Sequence, residues 1–243
     1  MNNQQIHFDK LFGYAKKLRD RYLNTCATRV LFDKMNELNV TGKVGKKKAN
    51  ENVKIINFHK YFFGTIKEAT RCYFLIELAK FFDQSKTNDS LTLYKVVKYA
   101  ENTLSSYSIE NFQKYHKDRK IFPDLFNGYK PLSENDLNKI KNKLTQNRDK
   151  IEKLKIYRDK FLAHDDIKKT SVEITKKDVS VLMKIIENTI DLLYAKLEFS
   201  ENDYRNFKEN PKREIDSVME SLRKQEKQRI LEIEKKYGVK VER

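Results

Sequence analysis

The chain is poor in the residues that interrupt or cross-link a fold. Its 243 residues include only six glycines, three prolines and two cysteines, and no tryptophan. So few glycines and prolines argue against a turn-rich β architecture and favour long helices. Cys26 and Cys72 do not have metal-ligand spacing, and we interpret them as small core residues in a reducing compartment. Neither a β-sandwich nor a disulfide-stabilised secreted scaffold fits this composition.

Long apolar runs are also missing. The most apolar segment, Cys72 to Phe82, is interrupted by Glu77 and Lys80 and is too short to span a bilayer. The first five residues are polar and do not form the apolar stretch of a signal peptide. We therefore expect a cytoplasmic protein with no membrane partner. A hydrophobic content of 39% still suffices for a packed core.

The chain has an excess of positive charge. Fifty-one Lys and Arg residues against 35 Asp and Glu residues give a formal net charge of +16. Such a balance favours polyanionic partners, and nucleic acid is the usual one. Basic proteins without any nucleic-acid role are also common, so net charge alone leaves both interpretations open.

Apolar residues recur every three or four positions along most of the chain, which predicts an all-α helical bundle with long antiparallel helices. Two Ser/Thr-x-x-Asp capping boxes, Ser133 with Asp136 and Thr175 with Asp178, predict two helix starts. Ser90 is the predicted N-cap of another helix. Residues 4–38 are predicted to form one helix or a broken pair of helices, and residues 54–83 another long helix. The apolar stripe of the 54–83 helix is Phe62, Ile66, Ala69, Tyr73 and Ile76.

Two segments are predicted to lie outside the regular bundle. Residues 39–52 are polar and are interpreted as a mobile basic loop, either solvated or binding RNA through Lys43, Lys46, Lys47 and Lys48. Beyond residue 200 both charge signs become dense, and Pro211 is expected to open a final helix. We therefore predict a helical domain over residues 1–200 and a charged C-terminal helical arm over residues 201–243.

One arginine interrupts an otherwise apolar helical stripe. The stripe runs through Leu137, Ile140, Leu144, Ile151, Leu154 and Phe161, and Asn147 and Arg158 break it. Arginine is rarely buried without a partner, because removing water from the guanidinium costs several kcal/mol. Arg158 therefore either forms an ion pair, for which Glu68 and Glu77 are candidates, or lines a crevice that binds an anion.

Arg158 and His164 together offer the chemistry needed to cleave RNA without a metal. Neutral imidazole can accept the proton of a ribose 2′-hydroxyl, and a guanidinium can hold the phosphate. In an ideal helix the two residues lie about 120° apart around the axis. They converge only if the helix frays, or if a second copy supplies the complementary group. His7, His59 and His116 are isolated from ligand clusters, so we expect no metal and no cofactor.

The pattern Arg158-Asp159-x4-His164 resembles the motif of the HEPN superfamily of small α-helical domains. The surrounding residues 157–165, with residues 78–83 and Ser90-Leu91, are similar to its AbiU2-type branch, which is linked to abortive infection. The resemblance covers about residues 5–200.

This resemblance implies a homodimeric, metal-independent endoribonuclease that acts in phage defence or as a toxin. Arg158 and His164 would be catalytic, and Asp159 would orient them. Lys160 and the four lysines at 43–48 are the candidate RNA-binding residues, and a cognate antitoxin or other defence protein is a further candidate partner. Two alternatives stay open. One is a non-catalytic module that binds RNA or a protein, and the other is a purely structural dimer.

Overall fold

The computed structural model describes residues 3–84, 90–116, 128–159 and 173–238. Over these ranges the chain is largely helical and contains no β-strand, which confirms the all-α prediction. No helix within them combines the length and the apolarity that a membrane crossing requires.

Ten α-helices follow one another along the described residues. They are α1 (Asn3–Glu37), α2 (Thr41–Val44), α3 (Lys46–Phe58), α4 (Lys60–Phe81), α5 (Leu93–Asn102), α6 (Ile109–Tyr115), α7 (Glu134–Gln146), α8 (Arg148–Tyr157), α9 (Lys176–Leu197) and α10 (Arg205–Tyr237). A 3₁₀ turn, Leu104–Ser106, follows α5.

Side-chain capping fixes several of these helix starts. Both predicted capping boxes are present, at the start of α7 and at the start of α9. At α7 the Ser133 hydroxyl accepts from the Asp136 amide at 3.3 Å, and the Asp136 carboxylate accepts from the Ser133 amide at 3.2 Å. The Ser90 prediction is wrong, because Thr92 caps α5 and accepts from the Lys95 amide at 3.2 Å.

The predicted basic loop is mostly helical. Residues 41–44 form α2, and α3 begins at Lys46 after Gly45, whose φ of 83° is a left-handed value that favours glycine. The many lysines of this segment suggested a solvated loop. One face of α3 nevertheless points inward, and Ala49, Asn52 and Ile55 are buried on it. The predicted 54–83 helix is correspondingly divided, since α3 ends before His59 and α4 begins at Lys60.

Two other helix boundaries differ from the sequence prediction. The long helix starting after Ser133 breaks at Asn147, which separates α7 from α8. The last helix begins at Arg205, so Pro211 lies inside α10 and does not open it. A proline removes only one backbone hydrogen bond of a helix, and the surrounding turns of α10 continue past it.

The predicted inward stripe of α4 is on the wrong face. Phe62, Ile66, Ala69 and Tyr73 are exposed, whereas a second set of apolar residues is buried: Phe63, Phe74, Leu75 and Leu78. Because α4 is apolar on two sides, helical periodicity is satisfied by either face and does not choose between them.

The described residues belong to two compact units, each assembled from separate stretches of chain. The first unit combines Met1–Leu23 with Leu75–Asp203. In it α7 packs against α5, α8 and α9. Its fully buried side chains include Phe8, Phe12, Tyr22, Leu78, Phe81, Leu137 and Ile186. The Tyr22 hydroxyl donates to the Glu187 carboxylate at 2.7 Å.

The second unit combines Asn24–Phe74 with Tyr204–Arg243. Here α10 packs against α3, and the core cluster is Leu38, Ile55, Phe63 and Met219. Arg223 of α10 is buried and donates from Nη1 to Oδ1 of Asn52 at 2.7 Å, while Asn52 Nδ2 donates to the Leu38 carbonyl at 2.6 Å. The division into domains at residue 201 stays a prediction.

Candidate active site

Arg158 and Asp159 lie where regular α-helix ends. The α-helical part of α8 stops at Tyr157, and the next two residues have π-helical geometry. Single π-turns occur frequently at functional sites, because the wider turn changes where side chains project. The 120° separation expected for Arg158 and His164 assumes an ideal α-helix, and Arg158 and Asp159 depart from that geometry.

Two carboxylates contact the Arg158 guanidinium. Nε donates to Oδ1 of Asp159 at 2.6 Å, and Nη1 lies 3.6 Å from Oδ2 of Asp83. The Arg158 side chain is 19% exposed and that of Asp83 is 12% exposed, so the longer ion pair is shielded from bulk water. Screening by salt is therefore weaker here than for a surface pair.

The ion-pair partners that the sequence suggested for Arg158 have other contacts. Glu68 accepts from Arg71 on the next turn of α4, and Glu77 accepts from Lys80 in the same way. These are pairs within one helix and do not involve Arg158.

Sequence reasoning missed Asp83 as a site residue. It lies two residues beyond the last residue of α4, where the negative end of the helix dipole disfavours a carboxylate. An acidic residue that directly follows the most apolar run of a chain needs a cation nearby. The place of Asp83 directly after the apolar run is a signal that the sequence contains. It predicts a cationic partner for Asp83 but does not identify that partner.

Helix α1 supports the end of α4 that precedes Asp83. The guanidinium of Arg21 lies 3.9 Å from the centroid of the Phe81 ring, and Phe81 is fully buried. Burial lowers the pKa of Arg21, and the nearby charge of Glu77 opposes that shift. This packing restricts the path of the chain as it leaves α4, and so restricts Asp83.

The first unit contains a cleft of about 260 Å³. It is lined by Phe82, Gln84, Tyr94, Leu144, Thr145, Arg148, Ile151, Glu152 and Lys155. Phe82 and Gln84 flank Asp83 in the chain and Lys155 precedes Arg158 by one helical turn, so chain neighbours of both ion-pair residues line the cleft. Burial raises the pKa of Tyr94, and its hydroxyl interacts with Gln84. Arg148 and Lys155 give the cleft two cations suited to phosphate oxygens.

The other predicted site residues fall in two groups. His164 and Lys160 lie outside the described residues. Lys43 lies 3.6 Å from Glu37, and Lys46, Lys47 and Lys48 are exposed on the first turn of α3. These four lysines belong to the second unit, whereas Arg158 and Asp159 belong to the first.

Two of the remaining histidines have contacts of their own. His7 Nδ1 lies 2.8 Å from the Tyr99 hydroxyl, and His116 Nε2 lies 3.0 Å from the Leu197 carbonyl oxygen. Within the described ranges, no three His, Cys, Asp or Glu side chains are grouped as a metal site would require. The expectation that no metal takes part stays a prediction.

A family model described as AbiU2, of the HEPN type, matches residues 10–227. That match spans most of the chain and includes both units of the structure. The chain belongs to the HEPN AbiU2 family. The match extends into α10, well past residue 200, where the resemblance was expected to end. No curated protein and no solved structure matches the chain significantly.

The family match covers the candidate site of this AbiU2 protein. Arg158 and Asp159 lie within the matched residues, and so do Asp83 and the cleft residues Arg148 and Lys155. A paired guanidinium beside two further cations is an arrangement that can bind a phosphodiester. Membership of the family is consistent with such a ligand and does not by itself establish cleavage.

Proposed function

We propose that this AbiU2 protein is a metal-independent endoribonuclease that acts in phage defence or as a toxin. Its active site is a composite of two copies of the motif in a homodimer, and a cognate antitoxin or other defence protein is a candidate regulator. One observation carries the proposal. Arg158 lies in a π-turn at the end of α8, where Asp159 and Asp83 hold its guanidinium.

In this proposal Arg158 binds the scissile phosphate. The contact with Asp159 fixes Nε at 2.6 Å, and Asp83 restricts Nη1, so the guanidinium plane has a defined orientation. A fixed planar donor stabilises charge growing on the phosphate oxygens better than a mobile one, because little reorganisation is needed. Asp159 and Asp83 are thus positioning residues, and Arg158 is the catalytic one.

His164 handles the protons. As neutral imidazole it accepts the proton of the ribose 2′-hydroxyl, and the 2′-oxygen attacks phosphorus. The bond from phosphorus to the 5′-oxygen breaks, and that oxygen takes a proton. The products are a 2′,3′-cyclic phosphate and a 5′-hydroxyl end. A second histidine from the partner copy would donate the last proton, since one imidazole cannot be base and acid in the same step.

The cations of the cleft compensate the two carboxylates. Asp83 and Asp159 together carry more negative charge than Arg158 neutralises, which would repel a phosphodiester. Arg148 and Lys155 line the nearby cleft together with Glu152, so these six side chains carry three positive and three negative charges and the repulsion is offset. The RNA chain would therefore enter along α8.

A second candidate is a non-catalytic module that binds RNA or a protein partner. The cations Arg148 and Lys155 that line the cleft favour it, because they can bind phosphate oxygens without any proton transfer. The two candidates differ in their dependence on His164. Binding alone would need Arg158 and the cleft but no imidazole.

Cleavage of total RNA in the presence of EDTA tests the proposal. We expect the wild-type protein to produce 2′,3′-cyclic phosphate ends. Arg158→Ala and His164→Ala should each reduce the rate by at least about 10²-fold. The control Arg213→Ala, which removes an exposed arginine of α10, should cleave normally. Intact RNA with wild-type protein, or equal cleavage by the His164→Ala variant, would contradict the proposal.

A further inference from the structure

The second unit contains a groove that the proposed active site does not use. It lies between α3 and α10 and has a volume of about 650 Å³. Lys47, Asn50, Glu51, Lys54 and Ile55 line one wall, and Arg223, Glu226, Lys227, Ile230 and Leu231 line the other. A groove of this volume is in the range of ligand-binding sites.

The groove carries a surplus of positive charge on an apolar floor. Lys47, Lys54 and Lys227 line it, against the two carboxylates of Glu51 and Glu226. Glu226 is engaged by Arg229, whose Nη2 donates to it at 2.7 Å. The apolar side chains of Ile55, Ile230 and Leu231 line the groove between these cations.

Exposed aromatic rings follow the groove-lining residues of α3 in the chain. Phe58, the last residue of α3, is 61% exposed and stands one helical turn beyond Lys54. Tyr61 and Phe62 begin α4 directly afterwards and are 80% and 56% exposed. The Arg229 guanidinium lies 4.8 Å from the centroid of the Phe58 ring. Three large exposed rings within five residues form an apolar surface that favours a ligand with flat faces.

We propose that the groove between α3 and α10, with Phe58 at its end, binds single-stranded RNA. Such a strand offers unstacked bases for aromatic rings and phosphates for lysines, which are the two features placed together here. In a duplex the bases are stacked inside and unavailable to Phe58. The choice of RNA as ligand rests on the proposed function, whereas the site itself rests on the groove.

The local charge of the groove favours a polyanion as the occupant. Lys47, Lys54, Arg223 and Lys227 line its walls against the two carboxylates of Glu51 and Glu226. A polyanion is attracted by the same walls. Of the four lysines predicted to contact RNA, Lys47 lines this groove.

Fluorescence anisotropy with a short, labelled, single-stranded 2′-O-methyl oligouridine tests the proposal. The methyl group removes the attacking hydroxyl, so binding is measured whether or not the protein cleaves RNA. We expect Phe58→Ala to weaken binding about tenfold at every salt concentration, since it removes stacking and no charge. Phe58→Tyr should bind like the wild type. Lys54→Gln should reduce the slope of log K against log salt by about 0.7, the value for one lost phosphate contact.

Matched controls separate the groove from general effects of composition. Tyr237→Ala removes a ring that is 65% exposed at the end of α10 but outside the groove. Lys98→Gln removes an exposed charge of the first unit. We expect neither control variant to reproduce the changes of the groove variants in affinity for the oligouridine or in the slope of log K against log salt.

Three results would overturn the proposal. The first is equal binding by Phe58→Ala and Tyr237→Ala, and the second is equal affinity for a duplex of the same length. The third is a dimer, seen by sedimentation, that Phe58→Ala dissociates without changing RNA binding. Each of these leaves the ribonuclease proposal standing, because that proposal depends on Arg158 and His164 and on cleavage products.

Discussion

Arg158 illustrates how one side chain is held by a local and a distant contact at once. Asp159 follows it directly in the chain and contacts Nε, while Asp83 approaches Nη1 from beyond the end of α4. The contact with Asp159 can be expected from the sequence, because residues adjacent in the chain are always close in space. The distant contact depends on how α4 and α8 are arranged within the first unit, and no sequence pattern encodes it.

At the residue scale, Asp83→Asn should impair the proposed RNA cleavage without abolishing RNA binding. The amide keeps the shape of the side chain but removes the charge that restricts Nη1 of Arg158. We expect a lower kcat with a nearly unchanged KM, and a loss of about 1 kcal/mol in the free energy of unfolding. Steady-state kinetics and urea denaturation would measure the two effects.

Asp149→Asn serves as the control for this variant, because Asp149 is exposed on α8. It removes the same charge from an exposed position of the first unit. Should the two variants have equal kcat values, Asp83 would not be a positioning residue.

At the scale of the element, helix starts follow local chemistry closely. The capping boxes of α7 and α9 each involve hydrogen bonds between residues three apart, so four residues of sequence are sufficient to predict them. Hydrogen bonds from Ser133 and Lys196 lower the pKa of Asp136, although burial alone would raise it. A carboxyl with a lowered pKa stabilises the folded state above its ordinary pKa, and this stabilisation is lost as the pH falls through the lowered value.

The variant Asp136→Asn should therefore be less stable than the wild type at pH 7 by about 1 kcal/mol, the usual effect of a lost cap. The difference should shrink as the pH falls below the ordinary pKa of an aspartate and through the lowered pKa of Asp136, where the folded carboxyl takes up its proton. Thermal unfolding from pH 7 down to pH 3 would measure it. Glu134→Gln, in the same first turn of α7, controls for the helix dipole, and an equal pH response in that variant would refute the assignment to Asp136.

Helix α4 shows where local patterns stop being informative. Both of its faces are apolar, and the structure buries Phe74 and leaves Ile66 exposed. Which face is buried depends on the residues that pack against it, and these come from elsewhere in the chain. The sequence correctly predicts an amphipathic or buried helix in this region and cannot select its inward side.

The assignment of the two faces of α4 can be checked by substitution. Ile66→Gln should change the free energy of unfolding by less than about 0.5 kcal/mol, because the side chain is on the surface. Phe74→Ala should lower it by about 3 kcal/mol or more, because a buried ring is lost. Chemical denaturation of both variants would measure this, and the opposite ranking would show that the inward face is the one containing Ile66.

At the scale of the whole molecule, the ends of the chain and its middle contribute to the same compact units. The second unit joins residues 24–74 to the C-terminal helix α10, which supplies Met219 and Arg223 to its interior. Arg223 is paired with both Asn52 and Glu220, so its burial is compensated by hydrogen bonds. The sequence suggested an appended arm because charged residues dominate this segment. The buried positions of α10 are few and far apart, so the sequence does not reveal its packing.

Truncation after residue 203 should therefore unfold part of the remaining chain. Without α10, Leu38, Ile55 and Phe63 lose Met219 as a packing partner and Asn52 loses Arg223. We expect amide hydrogens of α3 to exchange much faster in the truncated protein, while those of α7 and α9 stay protected. Hydrogen exchange with mass spectrometry would measure this. Unchanged protection of α3 would mean that residues 204–243 are a dispensable arm.

The sequence by itself determined the features that depend on neighbours in the chain. These are the all-α class, which follows from apolar spacing and scarce glycine and proline, and the two capping boxes. The family also followed from the sequence, from the motif at Arg158. Only the tertiary structure decided which carboxylate pairs with Arg158, which face of α4 is buried and that α3 and α10 enclose a groove. Those features bring together residues far apart in the chain, and their energies depend on packing and desolvation that exist only once the helices are in contact.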